Sequence, residues 1–307
     1  MRDERKEKPD IPHRTYIRHV RCSAHLTNGE ENSMIRDPDG VQFLQWCLPR
    51  LRLRWPGFRK VRRQVYKRLN RRLQDLQLSG LDEYRAYLEH HPTEWAILDT
   101  LCWISISRFY RDKGVFQYLV REVFPHLAQL VLANAETELR GWSAGCAAGE
   151  EPYTIALLWR HTLAAQFPTL GVRIVATDID PHALRRAERG CYPAGSLKDL
   201  PKEWLAQAFV PTEEGLCLRP DYRERVTFVQ QDIREAAPAG PFHLTLCRYL
   251  VFTYFDDALQ REALQRMTER LVPGGALVIG ALETLPEGVS GLESWSKRQA
   301  GVYRKVP

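Results

Sequence analysis

An α/β fold is predicted: a doubly wound parallel sheet, preceded by a small helical domain and interrupted by a short insertion. Three observations predict it. After Leu139, short apolar runs alternate with helix-period stretches, the rhythm of a parallel sheet with helices on both faces. Residues 41–133 instead keep the three-to-four spacing of amphipathic helices. Residues 190–225 lapse into an irregular, turn-rich pattern and read as the insertion. The expected organisation is a loosely structured extension over 1–40, a helical domain with a basic helix over 41–133, and the α/β domain over 134–307.

The composition allows such a core. The chain has 307 residues, 44% hydrophobic and 27% charged, the balance of a soluble globular protein. Its mean hydropathy is −0.40, and no apolar run approaches the roughly 18–20 residues of a membrane span. The charged opening MRDERKEKPD lacks the apolar stretch of a secretory signal, so a cytoplasmic location is expected. Seven cysteines, an odd number without a Cys-x-x-Cys, fit free thiols in a reducing compartment. His13, His19, Cys22 and His25 match no common zinc spacing, and no metal is expected.

In chain order, residues 1–40 are polar, with turn signals at Asn28-Gly29 and Asp37-Pro38-Asp39-Gly40. From Phe58 to Leu76 a helix is expected, because Phe58, Val61, Val65, Leu69, Leu73 and Leu76 share one face. Its other side is cationic: eleven Lys or Arg and no acid lie between Arg50 and Arg72. Taking those eleven from the net +6 leaves the rest of the chain at −5. The basicity is therefore one patch, suited to an anionic partner. Further helices are expected over Asp82–His90 and Thr93–Ile104. Strands follow at Leu139–Ser143, Val172–Asp178, Val226–Gln231, His243–Leu250 and Ala276–Ala281. Helices are expected at Glu150–Gln166, Pro181–Arg189 and Asp256–Leu271, the last ended by a turn at Pro273-Gly274-Gly275.

The chemistry concentrates where the first strand meets the first α/β helix, in Gly141-Trp-Ser-Ala-Gly-Cys-Ala-Ala-Gly-Glu-Glu-Pro-Tyr153. Small residues from Gly145 to Gly149 let a ligand approach the backbone at the carboxyl end of a strand. The second strand ends in Ala176-Thr177-Asp178, and an acid there is placed to take both hydroxyls of a ribose. Glu150 and Glu151 decide between cofactors. They would repel the pyrophosphate of a dinucleotide but welcome the ammonium and sulfonium of S-adenosylmethionine.

These blocks resemble the chemotaxis-receptor methyltransferases (CheR-type), which methylate glutamate side chains with S-adenosylmethionine and release S-adenosylhomocysteine. The resemblance spans about residues 45–285. It rests on Arg68-Leu-Asn-Arg-Arg72, Arg108-Phe-Tyr-Arg-Asp112, the segment from Trp142 through Gly149-Glu-Glu-Pro-Tyr153, Ala176-Thr-Asp-Ile-Asp180, Cys247-Arg248, Tyr254-Phe-Asp256 and Pro273-Gly-Gly275. It implies a Rossmann-like class I methyltransferase domain carrying a small β insertion. Arg111 would lie beside the methyl donor and Tyr254 near the sulfonium, the two catalytic candidates. Glu151 would bind the amino-acid portion of the donor and Asp178 its ribose. Asp232, where the family has Asn, would meet the adenine with Ile233. Arg248 opens the motif after the fourth strand. Arg68, Arg71 and Arg72 match the basic helix that meets acidic receptor helices.

Two motifs depart from the family. Cys247-Arg-Tyr-Leu-Val-Phe-Thr-Tyr-Phe255 is one residue longer, with Tyr249 in place of Asn. In Ile104-Ser-Ile-Ser-Arg-Phe-Tyr-Arg111, Ser105 and Ser107 replace Asn and Thr and still donate hydrogen bonds toward the cofactor. The function expected is methylation of carboxylates on an acidic protein or peptide. The alternatives are a methyltransferase acting on a small metabolite or peptide, or a non-catalytic S-adenosylmethionine sensor. Nucleic acid is not the expected partner, because no base-methylation motif is present and the chain outside the patch is net negative.

Overall fold

Helices lead and a sheet follows in the computed structural model, which describes residues 35–296 and 299–306. The first helix, α1 (Asp37–Cys47), carries Pro38 in its first turn, where a missing N–H costs nothing. The turn expected at Asp37–Gly40 is thus helical, and ordered structure starts inside the stretch expected as an extension. Residues 1–34, with His13, His19, Cys22 and His25, lie outside the described residues; among those described, no cluster of three or more His, Cys, Asp or Glu suits a metal.

The single helix expected over Phe58–Leu76 is two: α2 (Trp55–Phe58) and α3 (Arg62–Asp75). A tertiary contact divides them. Arg54 N–H donates to the Tyr254 carbonyl at 2.8 Å and Leu53 bridges to Phe255, so the chain is pinned before α3 begins. The predicted face holds, with Val65, Leu69 and Leu73 buried. Next come α4 (Leu81–His90), α5 (Glu94–Leu101) and α6 (Lys113–Tyr118), which runs through a π turn at Leu119–Val123 into α7 (Phe124–Ala133).

The sheet then forms. β1 (Glu138–Ala144) is followed by α8 (Glu150–Leu158), β2 (Gly171–Asp178) and α9 (Pro181–Arg189), which Asp180 caps by accepting from His182 N–H. The insertion is more ordered than its sequence suggests. It contains β3 (Cys191–Tyr192), α10 (Ala194–Leu197), α11 (Lys202–Ala208), β4 (Phe209–Thr212), β5 (Gly215–Leu218) and α12 (Pro220–Arg223). Its three strands form an antiparallel sheet in which Cys191 faces Cys217, and the two are disulfide-bonded. That pairing corrects the expectation of free thiols throughout; the hairpin return brings together residues that sequence spacing leaves 26 apart.

β6 (Val226–Gln230), β7 (Phe242–Cys247), α13 (Val251–Tyr254), α14 (Asp257–Glu269), β8 (Leu271–Ile279), β9 (Leu292–Ser296) and β10 (Gln299–Lys305) complete the chain. The main sheet has the order β6-β2-β1-β7-β8-β10-β9. Its first five strands are parallel, while β10 runs antiparallel to both β8 and β9. The expected turn at Pro273-Gly274-Gly275 is instead a bulge inside β8. Phe242 pairs with Leu271 but Leu244 with Ala276, so the residues between loop out, with Gly274 at φ +77°. The β9–β10 pair has no counterpart among the strands predicted from sequence.

One face of the sheet packs on α6–α8 through Phe116, Phe124, Tyr153 and Trp159. The other forms a common core with the N-terminal helices, where Phe58, Leu69, Tyr84 and Leu98 join Trp142, Leu277, Ile279 and Met267. Chain order reverses between β2 and β7 on either side of β1. In open α/β sheets that switch point opens a crevice at the carboxyl ends of the strands.

Candidate functional site

The crevice is present. A pocket of about 1110 Å3, part of it open to solvent, runs from the Gly145 loop past the ends of β2 and β6 to residues 102–108, which follow α5. Ser105, Ser107, Arg111, Gly145, Glu151, Asp178, Asp232, Ile233, Arg248, Tyr249 and Tyr254 all line it. Sequence positions as far apart as 105 and 254 therefore converge on one cavity. Arg68, Arg71 and Arg72 do not line it.

Gly145 turns the chain at φ +74°, and a Cβ there would lie 2.5 Å from Leu250 Cδ2, so only glycine fits. Its N–H donates to the Thr177 carbonyl at 2.8 Å, tying the loop to the end of β2. At that end Asp178 accepts from Ala147 N–H at 2.7 Å and from Asp180 N–H at 3.0 Å. Burial pushes its carboxyl above the usual carboxylate range, although those backbone donors oppose the shift.

Of the two acids opening α8, only Glu151 reaches the pocket. It accepts from Ser143 Oγ at 2.8 Å and Arg248 Nη1 at 3.1 Å. Glu150 is 3% exposed and raised by burial, with Oε2 unpartnered among the described residues. The paired-acid expectation thus narrows to one carboxylate, because consecutive helix residues point about 100° apart.

Opposite stands a network built on Arg248, whose side chain is 3% exposed. Besides Glu151, its guanidinium donates to Asp112 Oδ2 and to the Arg111 carbonyl, both at 2.8 Å. The strand expected to reach Leu250 stops at Cys247 because Tyr249 takes a left-handed φ of +58°. That kink lays the Tyr249 ring 4.0 Å from the Arg111 guanidinium carbon, with the phenol donating to Asp112. Burial, and then the Asp112 carboxylate, push the phenol up to about 12. Arg111 Nη1 also donates to the Ile106 carbonyl at 2.8 Å. Tyr254 packs edge-on to Phe58 at 5.1 Å, and burial raises it to about 12.

Three residues without a role in the sequence reading hold this arrangement. Asp112 carries Arg248 and Tyr249. Glu283 is buried and accepts from Tyr249 N–H at 2.9 Å, Gly280 N–H at 2.6 Å and Thr253 Oγ1, clasping the lengthened 249–254 segment. Arg234 joins Asp232 to Asp99 of α5. Only Asp112 lay within a motif quoted from the sequence.

The residues suit S-adenosylmethionine. Carboxylates line the pocket at Glu151, Asp178 and Asp232, a donor set that fits a cofactor carrying a cationic end and hydroxyl groups, and small residues bring the backbone of the loop close.

Residues 105–301 match the family of the CheR methyltransferase SAM binding domain, and residues 60–98 match the CheR methyltransferase all-alpha domain. The chain belongs to the CheR methyltransferase family. Like other CheR proteins it is an S-adenosylmethionine-dependent methyltransferase, and the expected fold, cofactor and enzyme class stand. Chemotaxis protein methyltransferase 2 of Pseudomonas aeruginosa is 33% identical over 71% of this chain and 77% of its own length. The chemotaxis protein methyltransferase of Escherichia coli is 33% identical over 72% and 76%. An uncharacterized 104.1 kDa protein in the hypE 3′ region of Rhodobacter capsulatus is also 33% identical, over 72% of this chain, which spans 23% of that protein's length. Among the described residues no helix is long and apolar enough to cross a membrane.

Within α3, the CheR chain divides its cations. Arg68 is spent internally on the Leu101 and Trp103 carbonyls, and Arg72 forms a two-pronged bond with Glu94 at 2.8 and 2.6 Å. Arg62 pairs with Asp37. Arg59, Lys60, Arg63, Lys67 and Arg71 are exposed; of these, Arg63 feels the Asp37 carboxylate, and none forms a salt bridge among the described residues.

Proposed function

We propose that this CheR methyltransferase esterifies carboxylate side chains, glutamates, of an acidic protein partner. The observation that carries this reading is the exposed row Arg59, Lys60, Arg63, Lys67 and Arg71, a single-sign surface that a small neutral acceptor would not need. Of the three arginines expected to meet the partner, Arg71 keeps that role, whereas Arg68 and Arg72 shape the helix that presents it.

Bound S-adenosylmethionine supplies an electrophilic methyl group. Glu151 takes its ammonium and Asp178 its ribose hydroxyls. Asp232 and Ile233 hold the base, and Ser105 and Ser107 donate hydrogen bonds from the opposite wall. Arg248 and Tyr249 serve the cofactor side by fixing Glu151 and closing the pocket. Arg111 orients the acceptor oxygens by charge-assisted hydrogen bonds, and Tyr254 lies along the sulfonium. A glutamate acceptor is ionised at neutral pH, so no general base is required. The enzyme's main contribution is alignment, worth about 7–11 kcal/mol. The compartment in this reading is the cytoplasm; the buried free thiols Cys47, Cys102, Cys146 and Cys247 fit it, while the Cys191–Cys217 disulfide counts against it.

The test is incubation with methyl-labelled S-adenosylmethionine and cell extract. Protein-bound label released by mild alkali is expected, as a carboxyl ester requires. Label confined to small molecules would overturn the acceptor.

A further inference from the structure

The nucleobase end of the pocket carries an ion cluster that the proposed roles leave unused. Arg234 follows β6 and spends all three guanidinium nitrogens on two carboxylates. Nε donates to Asp232 Oδ2 at 2.8 Å, while Nη1 and Nη2 form a fork onto Asp99 Oδ1 and Oδ2 at 2.8 and 2.7 Å. Its backbone N–H adds a bond to Asp232 Oδ1 at 2.8 Å, and Trp103 Nε1 reaches Asp99 Oδ2 at 3.2 Å. The side chains are 14% (Asp99), 16% (Asp232) and 23% (Arg234) exposed, so screening by solvent is limited.

Two carboxylates around one guanidinium leave the cluster one negative charge in excess. Without the arginine, two like charges would converge on one partly buried spot, a cost that falls on whichever carboxylate can turn away or take a proton. Asp99 lies in the last turn of α5, and residues 102–108, which follow that helix, line the pocket. Arg234 thus governs two things together: the direction of the Asp232 carboxylate and the place from which the Ser105–Ser107 wall departs.

We propose that Arg234 is a positioning residue for cofactor recognition: bridging Asp232 and Asp99, it makes a carboxylate usable as the acceptor for the base's amino group and latches α5 to the sheet edge across the pocket. This rests on the reading that Asp232 faces the base. An Asn at 232 would be neutral and would not need the arginine. The charge at 232 and the cation at 234 act as a set.

Calorimetry with S-adenosylhomocysteine tests this without knowledge of the methyl acceptor. Asp232→Asn keeps an acceptor oxygen and leaves Arg234 paired with Asp99, so its loss of affinity is expected to stay smaller than that of Arg234→Ala. Arg234→Ala is expected to weaken binding at least about tenfold. The double variant R234A/D232N, with the repulsion removed, is expected to recover most of that loss. A merely structural arginine would show no such rescue. Wild-type affinity in R234A overturns the latch, and a double variant no tighter than R234A overturns the charge pairing of positions 232 and 234. Should R234A fail to fold, Arg234→Lys keeps the charge without the fork; weaker binding than wild type is expected, and wild-type affinity overturns the proposal. Asp232→Ala separates the two levels. Unchanged affinity there refutes the base placement itself, whereas loss in D232A with none in R234A refutes only the latch.

Discussion

Tyr249 shows how one residue is set by partners far along the chain. Its left-handed backbone is uncommon for an aromatic residue and persists only where surroundings over-determine it. Here the N–H is held by Glu283, the phenol by Asp112, and the ring by Arg111. Glu283 is thereby the most consequential residue that the sequence motifs passed over. Replacing it with Ala orphans three donors, at about 1–3 kcal/mol for each that stays buried. Urea denaturation should show Glu283→Ala destabilised by at least about 3 kcal/mol, with methyl transfer lost; Glu283→Gln, which keeps an acceptor oxygen, should lose less. A fully stable, active Ala variant would remove the clasp from the account. The residues that touch the pocket were legible because a strand end and a small-residue loop are local patterns. Their supports were not: 34 residues separate Glu283 from Tyr249, and no spacing rule links them.

Among the elements, α3 carries the sharpest lesson. Its apolar stripe announced a helix, yet which cations remain free depended on α5. Glu94, at the start of α5, is buried and satisfied by Arg72 and by the Tyr84 hydroxyl at 2.7 Å. Removing Arg72 leaves a buried, unpaired carboxylate, and Arg72→Ala should cost about 3–5 kcal/mol; a loss under about 1 kcal/mol would mean the pair is not closed in solution. The same pair sets a pH dependence. Burial alone would raise the Glu94 carboxyl, but Arg72 and Tyr84 outweigh it and hold the group below its ordinary 4.5. A depressed folded value means the stabilisation is full above that pH and fades as pH falls through the folded value. The stability gap between wild type and Glu94→Gln, followed by urea melts, should therefore be largest near neutrality and shrink below pH 4.5. A gap that widens in acid would reverse the sign.

For the whole molecule, the shared core and the surface charge make separate claims. Trp142, Leu277, Ile279 and Met267 pack in one cluster with Phe58, Leu69 and Leu98, so the N-terminal helices cover one face of the sheet. A chain beginning at Ser105 would expose that face, and its urea transition should lose cooperativity or the chain should aggregate. A sharp, soluble transition would show the sheet to be self-sufficient. At the surface, Lys67→Glu with Arg71→Glu should leave the melting temperature and S-adenosylhomocysteine affinity unchanged. Labelling of protein acceptors should slow, by at least about tenfold at low salt, and less at high salt. Equal labelling by wild type and variant would remove the cationic row from recognition.

What the sequence determined by itself was the class of fold, the positions of its parallel strands along the chain and the cofactor, because hydrophobic period, turn residues and a motif at a strand end are all read within a dozen residues. The paired arginines, the clasp on Tyr249, the Cys191–Cys217 link and the Asp99–Arg234 bridge were decided only in three dimensions. The residues of that bridge stand 135 positions apart. A pattern along the chain says which face of an element turns inward; only closure of the chain says what it meets there.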